Sequence, residues 1–142
     1  TIHSFPTRRS SDLVTLPDGE GRIMAHREIE GGPRVADYGV DVAAVDELAE
    51  EVLDPGRAPD VWLLDEIGKM ECLSDRFVEA VRALLDGPRP VVATVGAGGP
   101  DFMEAVRRRE DAELWRVTRD NRDALPGKLD RRVRKLVGTP GG

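Results

Sequence analysis

Residues 61–64 read Val-Trp-Leu-Leu and run straight into Asp65 and Glu66. This hexad constrains the fold more than any other stretch. Its four apolar residues do not alternate with polar ones, so they do not suit a strand with one wet face. Pro59 precedes the run and Gly68 follows it, which leaves little room for a helix. The pattern therefore predicts a short strand buried on both faces, as in a parallel sheet. Residues 90–95, Pro-Val-Val-Ala-Thr-Val, predict a second such strand, and 113–117 a third. Parallel strands need long crossovers, usually helical.

Helical spacing fills the intervals. From Asp41, the residues Val42, Val45, Leu48, Ala49 and Val52 keep one apolar face. Ser74 stands as an N-cap before Phe77, Val78, Val81, Leu84 and Leu85. Residues 102–109 form a helix with a basic end, which complements its dipole. A last helix runs from Asn121, interrupted or begun again near Pro126 and Gly127, with a tail over 138–142. Upstream, β-prone runs flank Pro17-Asp18-Gly19 and predict a hairpin, Gly31-Gly32-Pro33 is a loop, and 35–38 predicts a short strand. Strands alternating with helices make the fold class α/β, a mostly parallel sheet flanked by helices.

At 142 residues the chain is one domain's worth. Its net charge of −6 argues against sequence-independent nucleic-acid binding, which needs a basic face. No apolar run approaches the roughly 18 residues of a membrane span. One cysteine, Cys72, leaves no intrachain disulfide and fits a reducing, cytoplasmic setting. Beside a helix start, it reads as a small apolar filler.

Residues 3–13, His-Ser-Phe-Pro-Thr-Arg-Arg-Ser-Ser-Asp-Leu, resemble the translation of a common short-read sequencing adapter. With no apolar period and no caps, 1–13 is expected to be an artefactual, disordered tail. The domain proper is then 14–142.

An apolar strand ending in two acids is the Walker B pattern, and the physics needs both parts. A buried strand delivers its last residues to the sheet's C-terminal edge, where α/β ligands bind. Asp65 suits Mg2+, a hard cation that prefers oxygen ligands and keeps part of its water shell. Glu66 suits the orientation and polarisation of an attacking water. Adjacent carboxylates repel each other, and a nearby cation relieves that.

The longer string Asp65-Glu66-Ile67-Gly68-Lys69-Met70-Glu71 is far more specific. It resembles the small P-loop nucleoside-triphosphatases known as the thermophilic or cancer-related type. Pro33 to Asp41, Ser74-Asp75-Arg76-Phe77, Val91 to Val95 and Val117 to Asp123 agree in order and spacing. The resemblance covers 14 to about 137. It implies an additional-strand, catalytic-glutamate, RecA-like P-loop fold and Mg2+-dependent hydrolysis of ATP, GTP and related nucleoside triphosphates to the diphosphate. Residue by residue it implies Asp65 on the magnesium side and Glu66 as the water-activating base. Thr94 ends the strand beside the γ-phosphate, where its hydroxyl could sense phosphate. Lys69 lies one turn past the acids, within reach of phosphate charge, or is simply solvated. Asn121 binds nucleotide or caps the last helix, and Arg122 closes over the nucleotide or pairs with Asp123.

One departure stands out. The Gly-x-x-Gly-x-Gly-Lys-Thr loop that should precede the hairpin is not among these residues. Gly96-Ala97-Gly98-Gly99 has no following Lys-Ser or Lys-Thr and reads as a connector. The missing loop would supply backbone N–H groups, a lysine and a magnesium-binding hydroxyl. The chain is therefore expected to have its first strand and phosphate loop missing, and to be inactive as it stands. The alternatives are a natural loop-less pseudoenzyme or interaction module, and a different P-loop machine of clamp-loader type. The short length and the Asp-Glu-Ile-Gly-Lys-Met-Glu string weigh against the last.

Overall fold

The computed structural model describes residues 2–4, 10–15, 20–26, 32–35 and 38–138, the first three of these segments by their backbone alone. Five short strands form an antiparallel sheet: β1 (Ile2–Ser4), β2 (Ser10–Thr15), β3 (Glu20–His26), β4 (Arg34–Val35) and β5 (Tyr38–Val40), in the order β1-β2-β3-β5-β4. The expected hairpin is the β2–β3 pair, with Thr15 opposite Glu20. Its Pro17-Asp18-Gly19 turn lies outside the described residues, as does 139–142 of the expected tail. The short strand expected over 35–38 is instead a tight pair, with Val35 opposite Tyr38.

Of the expected tail over 1–13, residues 2–4 and 10–13 are described, and they lie in strands; the rest lies outside the described residues. Ile2–Ser4 pairs with β2, and β2 itself begins at Ser10. The reason is edge pairing: β3 offers one free edge, and even a polar segment gains by satisfying its N–H and C=O groups there.

A two-stranded parallel sheet follows, made of β6 (Trp62–Ile67) and β7 (Val91–Val95), with Leu63 opposite Val92 and Leu64 opposite Ala93. Helices α1 (Val42–Val52), α2 (Asp75–Asp86) and α3 (Asp101–Arg107) surround it. The first two start at a side-chain cap, as their chemistry predicts. Asp41 accepts from the Ala44 N–H (3.1 Å), and the Ser74 hydroxyl accepts from the Phe77 N–H (3.1 Å). Val45 and Ala49 of α1, Phe77 and Val81 of α2 and Met103 of α3 join Val40, Leu64 and Ile67 in one core. Burying each larger side chain contributes roughly 1.5–3 kcal/mol, so this cluster holds β6 in place. Cys72 packs against its margin, as a filler would.

Two sequence expectations change here. First, β6 is not buried on both faces: Trp62 and Leu64 point inward, whereas Leu63 is 57% exposed. All three helices contribute to the core on the Leu64 side. Second, 113–117 is not a strand. Leu114 and Val117 are exposed, and Glu113 instead holds Arg132 of α4 (Leu125–Val137) at 2.6 Å. A strand needs a ladder partner, and among the described residues none lies along this segment. Helix α4 restarts the chain at Leu125 with Pro126 in its first turn, where a missing N–H costs nothing.

Candidate functional site

The parallel pair ends in the residues that carry chemistry. Past Leu64 the inward side chain is Ile67, fully buried, and the intervening Asp65 and Glu66 are both exposed. The buried flanks anchor the backbone while the two carboxylates meet solvent. On the neighbouring strand, the Thr94 hydroxyl donates to Asp65 Oδ1 at 3.0 Å. The Gly96 N–H donates to the Ile67 carbonyl (3.4 Å), so the chains stay joined beyond the ladder.

The loop 96–100 closes this edge. Arg107 of α3 donates to the Gly96 and Gly98 carbonyls, at 2.7 and 2.9 Å. Gly99 has φ +87°, and a Cβ there would stand 2.4 Å from Met103 Sδ. The loop thus presents carbonyls to a guanidinium and leads into a helix with Asp101 and Glu104 in its first turn. Both features oppose phosphate binding, so it is the connector the sequence suggests.

Lys69 is exposed just past the acids, with its side chain over Gly99. Asn121 and Arg122 are not joined to this cluster by any hydrogen bond or ion pair among the described residues. Asn121 accepts from the Thr118 N–H (2.7 Å) and donates to the Arg116 carbonyl (2.8 Å), which closes its own turn. It does not cap α4, whose N-cap is Ala124 without a side-chain bond. Arg122 is exposed and pairs with neither Asp123 nor another acid among the described residues.

Sequence reasoning gave no role to Glu71, which the structure buries to 3% exposure. It lies in the 3-10 turn Glu71–Leu73 after β6. Burial pushes its carboxyl up from 4.5 to about 7; N–H bonds from Glu71 itself and Gly68 oppose the rise, and the Glu66 charge adds to it. The available signal was an acid inside the apolar run Met70, Cys72, Leu73. Burial, and then the Glu71 charge, push the Cys72 thiol up to about 12, which removes it as a nucleophile.

Among the described residues no group of three or more His, Cys, Asp or Glu side chains could hold a metal by itself. The oxygen pair of Asp65 and Thr94 suits a cation that takes most of its ligands from phosphate and water, as Mg2+ does. No helix among the described residues is long and apolar enough to cross a membrane.

A parallel pair with helices packed on it and acids at its C-terminal edge defines an α/β domain of the P-loop nucleoside-triphosphatase type. The comparisons agree. A family model described as NTPase matches residues 4–129. The nucleoside-triphosphatase THEP1 of Thermotoga sp. (strain RQ2) is 33% identical over 118 residues, 82% of this chain and 67% of that protein. A cancer-related nucleoside-triphosphatase homolog of Mus musculus is 36% identical over 127 residues, 80% of this chain and 67% of that protein. The crystal structure of THEP1 from Aquifex aeolicus superposes with a TM-score of 0.84 at 27% identity, covering 97% of this chain and 81% of that one. The chain belongs to this nucleoside-triphosphatase family.

Proposed function

We propose that the domain hydrolyses nucleoside triphosphates, ATP and GTP among them, to the diphosphate and phosphate with Mg2+, in the cytoplasm. The observation that carries this reading is the pair of exposed acids at the end of β6, with Asp65 bonded to Thr94 across the parallel ladder. Asp65, with the Thr94 hydroxyl, would hold the cation, which supplies charge to the phosphate oxygens when bound. Glu66 accepts a proton from the attacking water at its carboxylate and directs the water's lone pair toward the γ-phosphorus. Thr94 orients Asp65. Lys69 adds positive charge at the rim, and Asn121 and Arg122 would need their turn to close on the nucleotide.

The two acids should fail differently, measured in a chain preceded by a segment bearing the Gly-x-x-Gly-x-Gly-Lys-Thr loop. Glu66→Gln should cut turnover by about 10²–10⁴-fold, the usual contribution of a general base, while affinity holds or tightens. Asp65→Asn should lower both turnover and magnesium-dependent affinity. Near-normal turnover of Glu66→Gln would remove Glu66 as the base.

The second reading is a loop-less pseudoenzyme or interaction module. On the hydrolase reading, the 142-residue chain by itself neither turns over nor binds magnesium-nucleotide measurably at millimolar levels. Micromolar ATP or GTP affinity by calorimetry on soluble monomer would favour the module.

A further inference from the structure

Glu71 is the charged side chain that the fold buries most completely among the described residues, and the mechanism above does not use it. Buried carboxyls persist where they are neutral or partnered. No lysine, arginine or histidine pairs with Glu71 among the described residues; its bonds come from the backbone N–H groups of Gly68 and of Glu71 itself.

The other group beside it is Glu66. The two carboxyls meet over one backbone position. A Cβ at Gly68 would stand 2.5 Å from Glu71 Oε2 and 3.1 Å from Glu66 Oε1. Any side chain at 68 would displace at least one of them. Glycine there is what lets a buried acid and an exposed acid share the turn that follows β6.

We propose that Glu71 is a positioning residue for Glu66: seated across Gly68, its buried carboxyl holds the turn and sets the charge that Glu66 faces at the end of β6. The inference rests on the reading of Glu66 as the water-activating acid. While Glu71 keeps its proton, Glu66 has no like charge behind it and stays over Gly68. Once Glu71 ionises, two carboxylates share one poorly solvated margin. Glu71 is enclosed by the core, so Glu66 is the one that moves outward, away from the water it should orient.

No other neighbour takes over this interaction. Asp46 of α1 accepts from the Ser74 hydroxyl, and Arg76 of α2 pairs with Glu50. Asp75 of α2 and Lys69 in the turn are exposed, and the Cys72 thiol stays neutral. Glu66 is the residue whose charge acts on Glu71.

The first arm of the test needs no catalysis. The carboxyl carbon of Glu71, followed by NMR in the 142-residue chain, should titrate near pH 7, and Glu66→Gln should lower that midpoint. An unchanged midpoint in Glu66→Gln overturns the proposal and leaves the hydrolase reading standing. The second arm uses the chain preceded by the phosphate-loop segment. There kcat should fall about tenfold per pH unit above the Glu71 midpoint, and Glu71→Gln should abolish that fall. Superimposable kcat profiles for wild type and Glu71→Gln would overturn the positioning role. If instead the midpoint shifts but Glu66→Gln turns over normally, the coupling is real and the reading of Glu66 as the water-activating acid is what fails, and the positioning role with it.

Discussion

The buried carboxyl of Glu71 makes the stability of this domain depend on pH in a direction that can be worked out. Its folded value is raised from 4.5 to about 7, chiefly by burial. Below pH 4.5 both folded and unfolded chains hold the proton, and the group costs nothing. Between 4.5 and about 7 the unfolded chain releases its proton while the folded one retains it. Stability then falls by about 1.4 kcal/mol per pH unit. Above that window the folded chain is ionised as well, and the loss levels off at about 3 kcal/mol. Glu71→Gln keeps the shape and an oxygen for the Gly68 and Glu71 N–H groups but has no proton to lose. The variant should match wild type at pH 4.5 and exceed it by about 3 kcal/mol at pH 8. Urea unfolding monitored by tryptophan fluorescence measures this, since Trp62 is buried in the fold. Taking the difference between the two proteins cancels the background of the other acids in a chain of net charge −6. Parallel stability-versus-pH curves, or a Gln variant less stable at pH 8, would refute the burial argument.

Two further substitutions probe the frame around the site. Ser74→Ala removes the α2 cap and the hydroxyl that donates to Asp46, and should cost about 1–2 kcal/mol, read as a lower urea midpoint with unchanged m. A cost below a few tenths would mean the cap is replaced by water. Gly68→Ala sets a Cβ against the carboxyls of Glu71 and Glu66; such overpacking costs about 1–3 kcal/mol. The loss should shrink in the double variant with Glu71→Ala, and strictly additive losses would show that the two residues do not press on each other.

Much was legible in the sequence because it depends on neighbours in the chain. Asp41 and Ser74 begin helices since a short polar side chain reaches a backbone N–H three residues on, and no tertiary contact is needed for that. The strands at Trp62–Ile67 and Val91–Val95 follow from apolar runs bounded by turn residues, and their parallel pairing follows from the helix between them. The acids Asp65 and Glu66 were placed at a strand end for the same reason.

Tertiary structure decided the rest, because exposure and partnership are properties of what lies opposite. Leu114, Trp115 and Val117 have strand chemistry, yet without a ladder partner they stay unpaired. Polar residues from Ser10 on have little strand chemistry, yet pair with β3. Asn121 has the chemistry of a cap, but its bonds close the turn before α4. Leu63 and Leu64 are chemically identical, and only the side on which the helices pack makes one exposed and the other core. Glu71 shows the difference most sharply. As one acid among twenty-seven Asp and Glu residues, it was marked in the sequence only by its apolar neighbours Met70, Cys72 and Leu73. Its distinction is that the fold closes over it and brings Glu66 to the other side of Gly68. A desolvated charge and a like-charged neighbour arise from three-dimensional enclosure, which the order of residues along the chain does not express.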